Sequence, residues 1–374
     1  MPFEQETQVP VSDALIDLGL GHPANDLLPT ELFRRAAEVR LTGRALPLLQ
    51  YGFAQGSASF RRALGDFLTG AYKMSVLPET LLITNGVSQA LDLVCTVLTR
   101  PGDTVFVEEP SYFLALGIFA EHGLNVVSLP VDDEGMQTEA LEQALTQHAP
   151  TFVYTIPTFQ NPSGVSLSPA RREHLVELSQ RHDFFIVADE VYQLLNFTID
   201  SPAPLAAFVR EAKVLSLGSF SKILAPGLRL GWVQASEALL EPLANSALLV
   251  SGGGLNPFTS GLVKVILEEG WQAEHLGNLR KVYAERARAL VSAVENELDV
   301  ATKVPQGGYF VWLEFDTNTD ALLSKAERHG VSFQVGSSFS SRNSLHNALR
   351  LSFSYYEPEQ LREGVRRLRA ALEE

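Results

Sequence analysis

"VLSLGSFSKILAPGLRLGWVQA", residues 214 to 235, has an apolar run at each end, "VLSLG" and "LGWVQA", with the length and composition of short buried strands. Between them stand Lys222 flanked by hydroxyls, a Pro-Gly turn signal, and Arg229 set between two leucines. Two cations in a stretch that reads as buried need a reason, because a charge taken out of water must find a partner or be neutralised.

The same texture extends along the chain. "TLLITNG", "DTVFVEEP", "NVVSLPV", "TFVYTIPTF" and "FFIVADEVY" read as strands, and the amphipathic stretches "VSQALDLVCTVL", "FLALGIFAEHG", "EALEQALTQ" and "ARREHLVELSQRH" alternate with them as helices. This alternation predicts an α/β fold, a three-layer αβα large domain with a mostly parallel sheet. From about residue 276 the pattern changes to a long charged helix, "LGNLRKVYAERARALVSAVENEL", then "GGYFVWLEF", "VSFQVGSSF", "ALRLSFSYY" and a closing helix, "EPEQLREGVRRLRAALEE". The reading is an N-terminal arm over residues 1–44, packing on the small domain and the active site, a large domain over 45–275, and a small α+β domain over 276–374.

Composition narrows the function classes. A chain of 374 residues, 45% hydrophobic and 20% charged, is long enough for a substantial core. Its 29 Lys plus Arg against 44 Asp plus Glu leave a net charge of −15, which argues against nucleic acid or anionic lipid as partners. The single cysteine, Cys95, excludes an internal disulfide framework and a thiolate zinc cluster. No basic leader and no span of about eighteen apolar residues is present, so the cytoplasm is the expected compartment.

In an α/β sheet ligands gather at the carboxyl ends of the strands, so the polar residues just after each apolar run carry the chemistry. In "TNGVSQAL", Gly86 permits a tight turn and the helix that follows opens with free backbone N–H groups, either a simple strand-to-helix turn or an anion site. "NPSG", Asn161 to Gly164, is a turn of low specificity. In "FFIVADEVY", Asp189 tips a buried strand, either as a helix cap or as a desolvated carboxylate in need of a partner, with Tyr192 close behind. Lys222 in apolar surroundings has the setting for a lowered pKa and for reaction as a free amine, the requirement for imine chemistry. Arg229 either clamps a phosphate or pairs with a structural acid.

Together these motifs resemble the fold-type I pyridoxal-phosphate enzymes, and among them the class I/II aminotransferases. "LQYGFAQGSASFRRAL", "ITNGVSQAL", "EEPSYF", "QNPSG", "ADEVY", "SFSKILAPGLRLGW" and "ALRLSFS" occur in that family's order and approximate spacing over almost the whole chain. "SKILAPGLRLGW" is most similar to the branch holding 2-aminoadipate and kynurenine aminotransferases and the transaminase-like half of MocR-type regulators. The resemblance implies an aspartate-aminotransferase-like fold and pyridoxal 5′-phosphate as cofactor. It also implies ping-pong transfer of an amino group from an L-amino acid to a 2-oxo acid, with 2-oxoglutarate as the expected acceptor.

Residue by residue, the resemblance gives Lys222 the covalent link to the cofactor and the acid/base role, and Asp189 the pyridine nitrogen. Asn161 and Tyr192 go to the phenolic oxygen, and Tyr112 to the ring face. Gly86, Val87, Ser88, Ser219, Ser221 and Arg229 go to the phosphate. Tyr51 reaches that phosphate from a second subunit, which implies a homodimer with shared active sites. Arg350 grips the substrate carboxylate, helped by Asn161 and the Gly21 backbone. The chain departs from its relatives at His22 in "GLGHP", where an apolar residue is usual, and at Gly252–Gly254 in "SGGGLNPFTSG", which either opens space near the phosphate or makes a tight helix start.

Other signals fail. "GLGHPAND" lacks the third glycine of a dinucleotide fingerprint, "HLVE" lacks further ligands for a metal, and no G-x-S-x-G or Walker sequence is present. A lyase, cyclase or synthase on the same cofactor shares every residue named. An effector-binding regulator would need a DNA-binding domain ahead of a chain that enters the fold within about twenty residues.

Overall fold

The computed structural model describes residues 14–42, 46–197, 200–300 and 302–374; the first thirteen residues of the expected arm, and its last two, lie outside the described residues. In chain order the strands are β1 (Ile16–Asp17), β2 (Leu81–Thr84), β3 (Thr104–Glu109), β4 (Asn125–Asp132), β5 (Gly135–Met136), β6 (Phe152–Thr155), β7 (Phe185–Asp189), β8 (Val214–Ser219), β9 (Gly231–Gln234), β10 (Phe310–Glu314), β11 (Val331–Ser332), β12 (Gln334–Val335) and β13 (Ala348–Ser352).

The main sheet runs β2-β9-β8-β7-β6-β3-β4-β5. Its centre, from β4 through β3, β6 and β7 to β8, is parallel. Such strands are covered on both faces, which is why they read as continuous apolar runs. Side chains alternate: Val105, Val107 and Val187 join the larger apolar cluster with Leu91 and Val94, while Phe106, Ile186 and Ala188 join a second cluster with Leu141, Leu175 and Leu178. The helix Val87–Leu98 on one face supplies Leu91 and Val94, and the helices Thr138–Ala144 and Pro169–His182 on the other supply Leu141, Leu175 and Leu178, giving the three layers the sequence predicts.

β9 is antiparallel to both β8 and β2. Its link to β8, residues 220–230, is shorter than the dozen or so residues a parallel crossover needs, so the chain turns straight back. Lys222 and Arg229 therefore share one turn at the carboxyl end of β8. β2, β3, β6 and β7 end on the same side, at Thr84, Glu109, Thr155 and Asp189.

A second, antiparallel sheet, β10-β13-β12, lies apart from the first, and β1 pairs in parallel with β11. "VSFQV" is not one strand, for Phe333 is buried between β11 and β12. The long helix begins at Trp271 and runs to Leu298, so a boundary near 276 falls inside it. The helix Thr30–Leu41 packs on Pro257–Glu268, with the Arg35 guanidinium 3.9 Å from the Trp271 ring centroid. The early segment thus touches both parts of the molecule. Among the described residues no helix is long and apolar enough to cross a membrane.

Behind the strand ends lies a buried ion pair. Glu190 accepts from Leu205 N–H (2.7 Å), Ala206 N–H (3.2 Å) and the Ser216 hydroxyl (2.6 Å), and Arg172 Nη1 lies 3.9 Å from it. Arg172 also donates to the carbonyls of Pro157 (2.5 Å), Leu167 (2.9 Å) and Ala203 (3.0 Å). One guanidinium thereby ties together three loops at the rim of the sheet. Removing it strands a carboxylate in the core, so Arg172→Met is expected to cost about 3–5 kcal/mol of stability. Urea unfolding measures this, and a loss under about 1 kcal/mol would contradict the pairing.

Candidate active site

Asp189 is 3% exposed at the tip of β7. Its Oδ2 accepts from the Tyr154 hydroxyl at 2.9 Å, while Oδ1 is buried without a hydrogen-bond partner. Burial pushes the carboxyl up to about 6, against the pull of the Tyr154 hydroxyl, the Val191 amide and Lys222. The neighbouring parallel strand places the tyrosine: Tyr154 pairs with Val187 and Thr155 with Ala188, which brings the hydroxyl to the end of β7.

Lys222 lies beyond the end of β8, in the turn to β9. Its Nζ donates to Gly21 O at 2.7 Å and lies 5.5 Å from the Tyr309 ring centroid, while the Tyr309 hydroxyl donates to Lys222 O at 2.9 Å. Burial and the charge of Arg350 push the amine down to about 8, Asp189 opposing them.

Arg350, on β13, reaches the same place from the smaller sheet. Its Nη1 donates to Asn161 Oδ1 at 2.8 Å and its Nη2 to Gly19 O at 2.6 Å, with the Phe310 ring centroid 4.0 Å and that of Phe339 5.1 Å from the guanidinium carbon. Burial pushes it down to about 10, and its Nε has no hydrogen-bond partner among the described residues. The strap from Ile16 to His22 is what lies between the two cations. It leaves β1, Leu18 O accepts from Ser352 N–H at 2.6 Å, and two carbonyls then point to different heads: Gly19 to Arg350 and Gly21 to Lys222. The Gly21 backbone, which the sequence reading sets beside Arg350 at the substrate carboxylate, has its carbonyl on Lys222, while the Gly19 carbonyl lies on Arg350; a turn closed by Leu20 N–H on Asp17 O (3.3 Å) redirects the strap after β1.

The anion-binding elements converge as well. Strand register sets Thr84 and Ser219 on either side of Gly231. Gly86, at φ 81, starts the helix Val87–Leu98, and a Cβ there would lie 2.8 Å from Arg229 Nη2, so only glycine lets the guanidinium close on the helix start. Arg229 donates to Asn85 O at 3.3 Å and Pro226 O at 3.2 Å. The Ser219 hydroxyl donates to that of Ser221 at 2.9 Å. Arg229 is exposed, as is Ser88, which corrects the expectation that both cations of the motif are buried. Its left-handed backbone, φ 45, turns it away from the leucines that flank it in sequence.

Tyr192 is buried against Tyr309, with ring centroids 5.5 Å apart, and Tyr112 precedes the helix Phe113–Glu121, its hydroxyl pushed up to about 12 by burial. Tyr51, 84% exposed, is not brought to Lys222 within its own chain. Burial, Lys222 and Arg350 push His22 down to about 4, so its ring is neutral at pH 7. The glycine run ends a helix rather than starting one: Gly253 caps Ala247–Gly252, and Cβ atoms at Gly253 and Gly254 would lie 2.8 Å from Gly52 O and 2.0 Å from Phe53 O. It is bare so that the backbone of residues 51–54 can lie on it. A cavity of about 820 Å³, lined by Phe67, Tyr72, Leu194 and Arg280 among others, contains none of the predicted residues.

Tyr154, Tyr309, Phe310 and Phe339 escaped the sequence reading. The one cue was a tyrosine in the otherwise apolar "TFVYT"; the two phenylalanines lie 40 and 11 residues from the arginine they enclose and give no local signal.

The arrangement suits a flat heteroaromatic carrying an aldehyde and a phosphate. The vacant acceptor on Asp189 fits a pyridinium N–H, the amine of Lys222 an aldehyde carbon, and the helix start with Arg229 a phosphate. The family model for aminotransferase class I and II matches residues 13–368. The aromatic-amino-acid aminotransferase 1 of Thermococcus litoralis is 35% identical, covering 96% of this chain and 88% of its own. The crystal structure of a multiple substrate aminotransferase from Thermococcus profundus superposes with a TM-score of 0.91 at 33% identity, covering 97% and 92%. The alpha-aminoadipate aminotransferase of Thermus thermophilus, solved in complex with N-(5′-phosphopyridoxyl)-L-leucine, superposes with a TM-score of 0.88 at 34% identity, covering 96% and 92%. With the site and these likenesses in agreement, the chain belongs to the class I and II aminotransferases, of fold type I, and is a pyridoxal-phosphate-dependent transaminase.

Proposed function

We propose that 2-oxoglutarate is the amino acceptor and that the residues gathered around Lys222 divide the work as follows. The observation that carries the reading is Asp189 Oδ1, a buried carboxylate oxygen with no hydrogen-bond partner among the described residues, which suits a donor arriving from a ligand. Bound pyridoxal phosphate supplies an electron sink for negative charge developing at the substrate Cα. Asp189 would keep the ring nitrogen protonated, with Tyr154 holding the carboxylate in place. Asn161 and Tyr192 would bind the phenolic oxygen, and Tyr112 would cover the ring face. The N–H groups of Val87 and Ser88, the hydroxyls of Ser219 and Ser221, and Arg229 would hold the phosphate. Arg350, already aligned by Asn161 and two phenylalanine rings, would take the substrate carboxylate and fix the amino acid with its Cα–H toward Lys222. Lys222 Nζ, its pKa lowered to about 8, would remove that proton in its neutral form.

The protein acts on amino and 2-oxo acids; as its working form we propose a cytoplasmic homodimer. Leu49, Tyr51, Phe53, Leu248, Val250 and Phe258 are exposed on two adjoining segments, an apolar surface of the kind that another subunit covers. From there Tyr51 would reach the phosphate of the second copy. We also propose the division into an arm (1–44), a large domain (45–275) and a small domain (276–374), with the helix Trp271–Leu298 bridging the last two.

Three outcomes follow. Lys222 has a lowered pKa, so it is protonated and unreactive below about 8 and free above it. Attachment of pyridoxal phosphate to the cofactor-free protein, trapped with borohydride and read by mass spectrometry, is expected to accelerate with pH through a midpoint near 8 and to vanish in Lys222→Ala. A midpoint near that of an ordinary lysine would refute the buried setting. Asp189→Asn removes the anionic acceptor and is expected to weaken cofactor binding about ten- to a hundredfold in equilibrium dialysis; unchanged affinity would sink the nitrogen contact. Sedimentation is expected to give a dimer, which Tyr51→Ala leaves assembled while weakening cofactor affinity; a monomeric active enzyme would remove Tyr51 from the site.

A further inference from the structure

Glu108 is fully buried, titratable, and absent from the roles assigned above. We infer that it is a positioning residue whose carboxylate fastens the end of β3, which leads to Tyr112, to the end of β6 and the turn that carries Asn161. The inference rests on the roles proposed for those two residues.

The β3–β6 ladder pairs Val105–Val107 with Phe152–Tyr154 and then stops. Beyond it the two chains separate, one toward Tyr112 and the other toward Asn161. Glu108 takes over where the backbone pairing ends. Its Oε1 accepts from the Thr155 hydroxyl at 2.6 Å, and its Oε2 accepts from Ile156 N–H at 3.1 Å and from Gln160 Nε2 at 3.1 Å. That same Gln160 amide donates to Pro110 O at 2.7 Å, while its carbonyl accepts from Ser163 N–H at 2.9 Å and the Ser163 hydroxyl at 2.6 Å. Gln160 is thus held from three sides, and the next residue is Asn161, whose Oδ1 meets Arg350.

A side chain with two acceptor oxygens and no obligatory donor serves all three groups at once without turning the Thr155 hydroxyl into an acceptor, which gives a reason for an acid in a place where burial penalises its charge. The titratable groups facing it are Asp189, Tyr154 and Arg172. The hydrogen bonds run from residues 47 to 52 positions away, so the clasp fixes a distance that neither strand sets by itself.

The test uses the full chain with L-glutamate as donor, and reads KM, kcat, the melting temperature and, on the cofactor-free protein, the Kd for pyridoxal phosphate by equilibrium dialysis. Glu108→Ala and Gln160→Leu are each expected to raise KM and that Kd about tenfold, with kcat changing less, because the groups that align substrate and ring shift by a fraction of an ångström. Glu108→Gln keeps an oxygen for Ile156 and Gln160 and turns its amide to Thr155, and is expected to return both constants to within about threefold of the parent. A purely structural role lowers the melting temperature of Glu108→Ala while KM and Kd stay within about twofold, and that result overturns the inference. Should Glu108→Ala fail to fold, Gln160→Leu decides by the same criterion. Asn161→Ala separates the two layers of argument: if it raises KM while Gln160→Leu does not, the clasp alone is wrong, and if it is silent, the proposed role of Asn161 falls and the inference with it.

Discussion

Burial of charge at the carboxyl edge of the main sheet governs the rest of the molecule. Asp189, Lys222 and Arg350 meet at this edge, and each is pulled toward neutrality by desolvation. What keeps the three compatible is a set of fixed dipoles: the Tyr154 hydroxyl on Asp189, the Gly21 carbonyl on Lys222, and the Gly19 carbonyl and Asn161 amide oxygen on Arg350. Dipoles held by the fold rather than by solvent are what electrostatic preorganisation requires. On these three residues, Asp189 Oδ1 and Arg350 Nε are buried atoms without a hydrogen-bond partner among the described residues.

The mixed direction of the sheet serves the same end. Because β9 returns antiparallel, the turn after β8 is short and stiff, and Arg229 comes back against Gly86 at the start of the neighbouring helix. A parallel crossover would have carried the arginine to the far side of the sheet. The strap at residues 16–22 makes the corresponding link to the smaller sheet: β1 pairs with β11, and its continuation touches both cations within a few residues. Relative movement of the two sheets would therefore be felt at Lys222 and Arg350 together.

Behind this front, Glu190 beside Asp189 faces away from the site and holds Arg172, so that consecutive acids in "ADEVY" stand on opposite sides of the strand end. Glu108 and Glu109 divide in the same way. Glu108 turns toward β6 and Gln160, and Glu109 accepts from Ser340, Ser341 and Ser344 of the smaller part of the chain. In the first doublet one carboxylate faces the site and the other the frame; in the second, both carboxylates hold the frame, one toward β6 and one toward the smaller part of the chain.

Much of this is visible in one dimension. The alternation of apolar and amphipathic runs yields the α/β layers, since period and burial are local properties of a strand or helix. The residues that follow each run, Gly86, Asn161, Asp189 and Lys222, could be picked out because strand ends of a parallel sheet share one edge. The exposure of Arg229 could not, since a left-handed residue between two leucines looks like any other arginine in a buried stretch. Nor could Tyr154, Phe310, Phe339 and the clasp at Glu108, whose partners lie on other strands at separations set by register. The sequence by itself therefore determined the kind of fold and the cofactor. Tertiary structure alone decided which carbonyl meets which cation, which acid serves the ligand and which the scaffold, because those choices depend on the register of strands distant in sequence, and no local pattern encodes it.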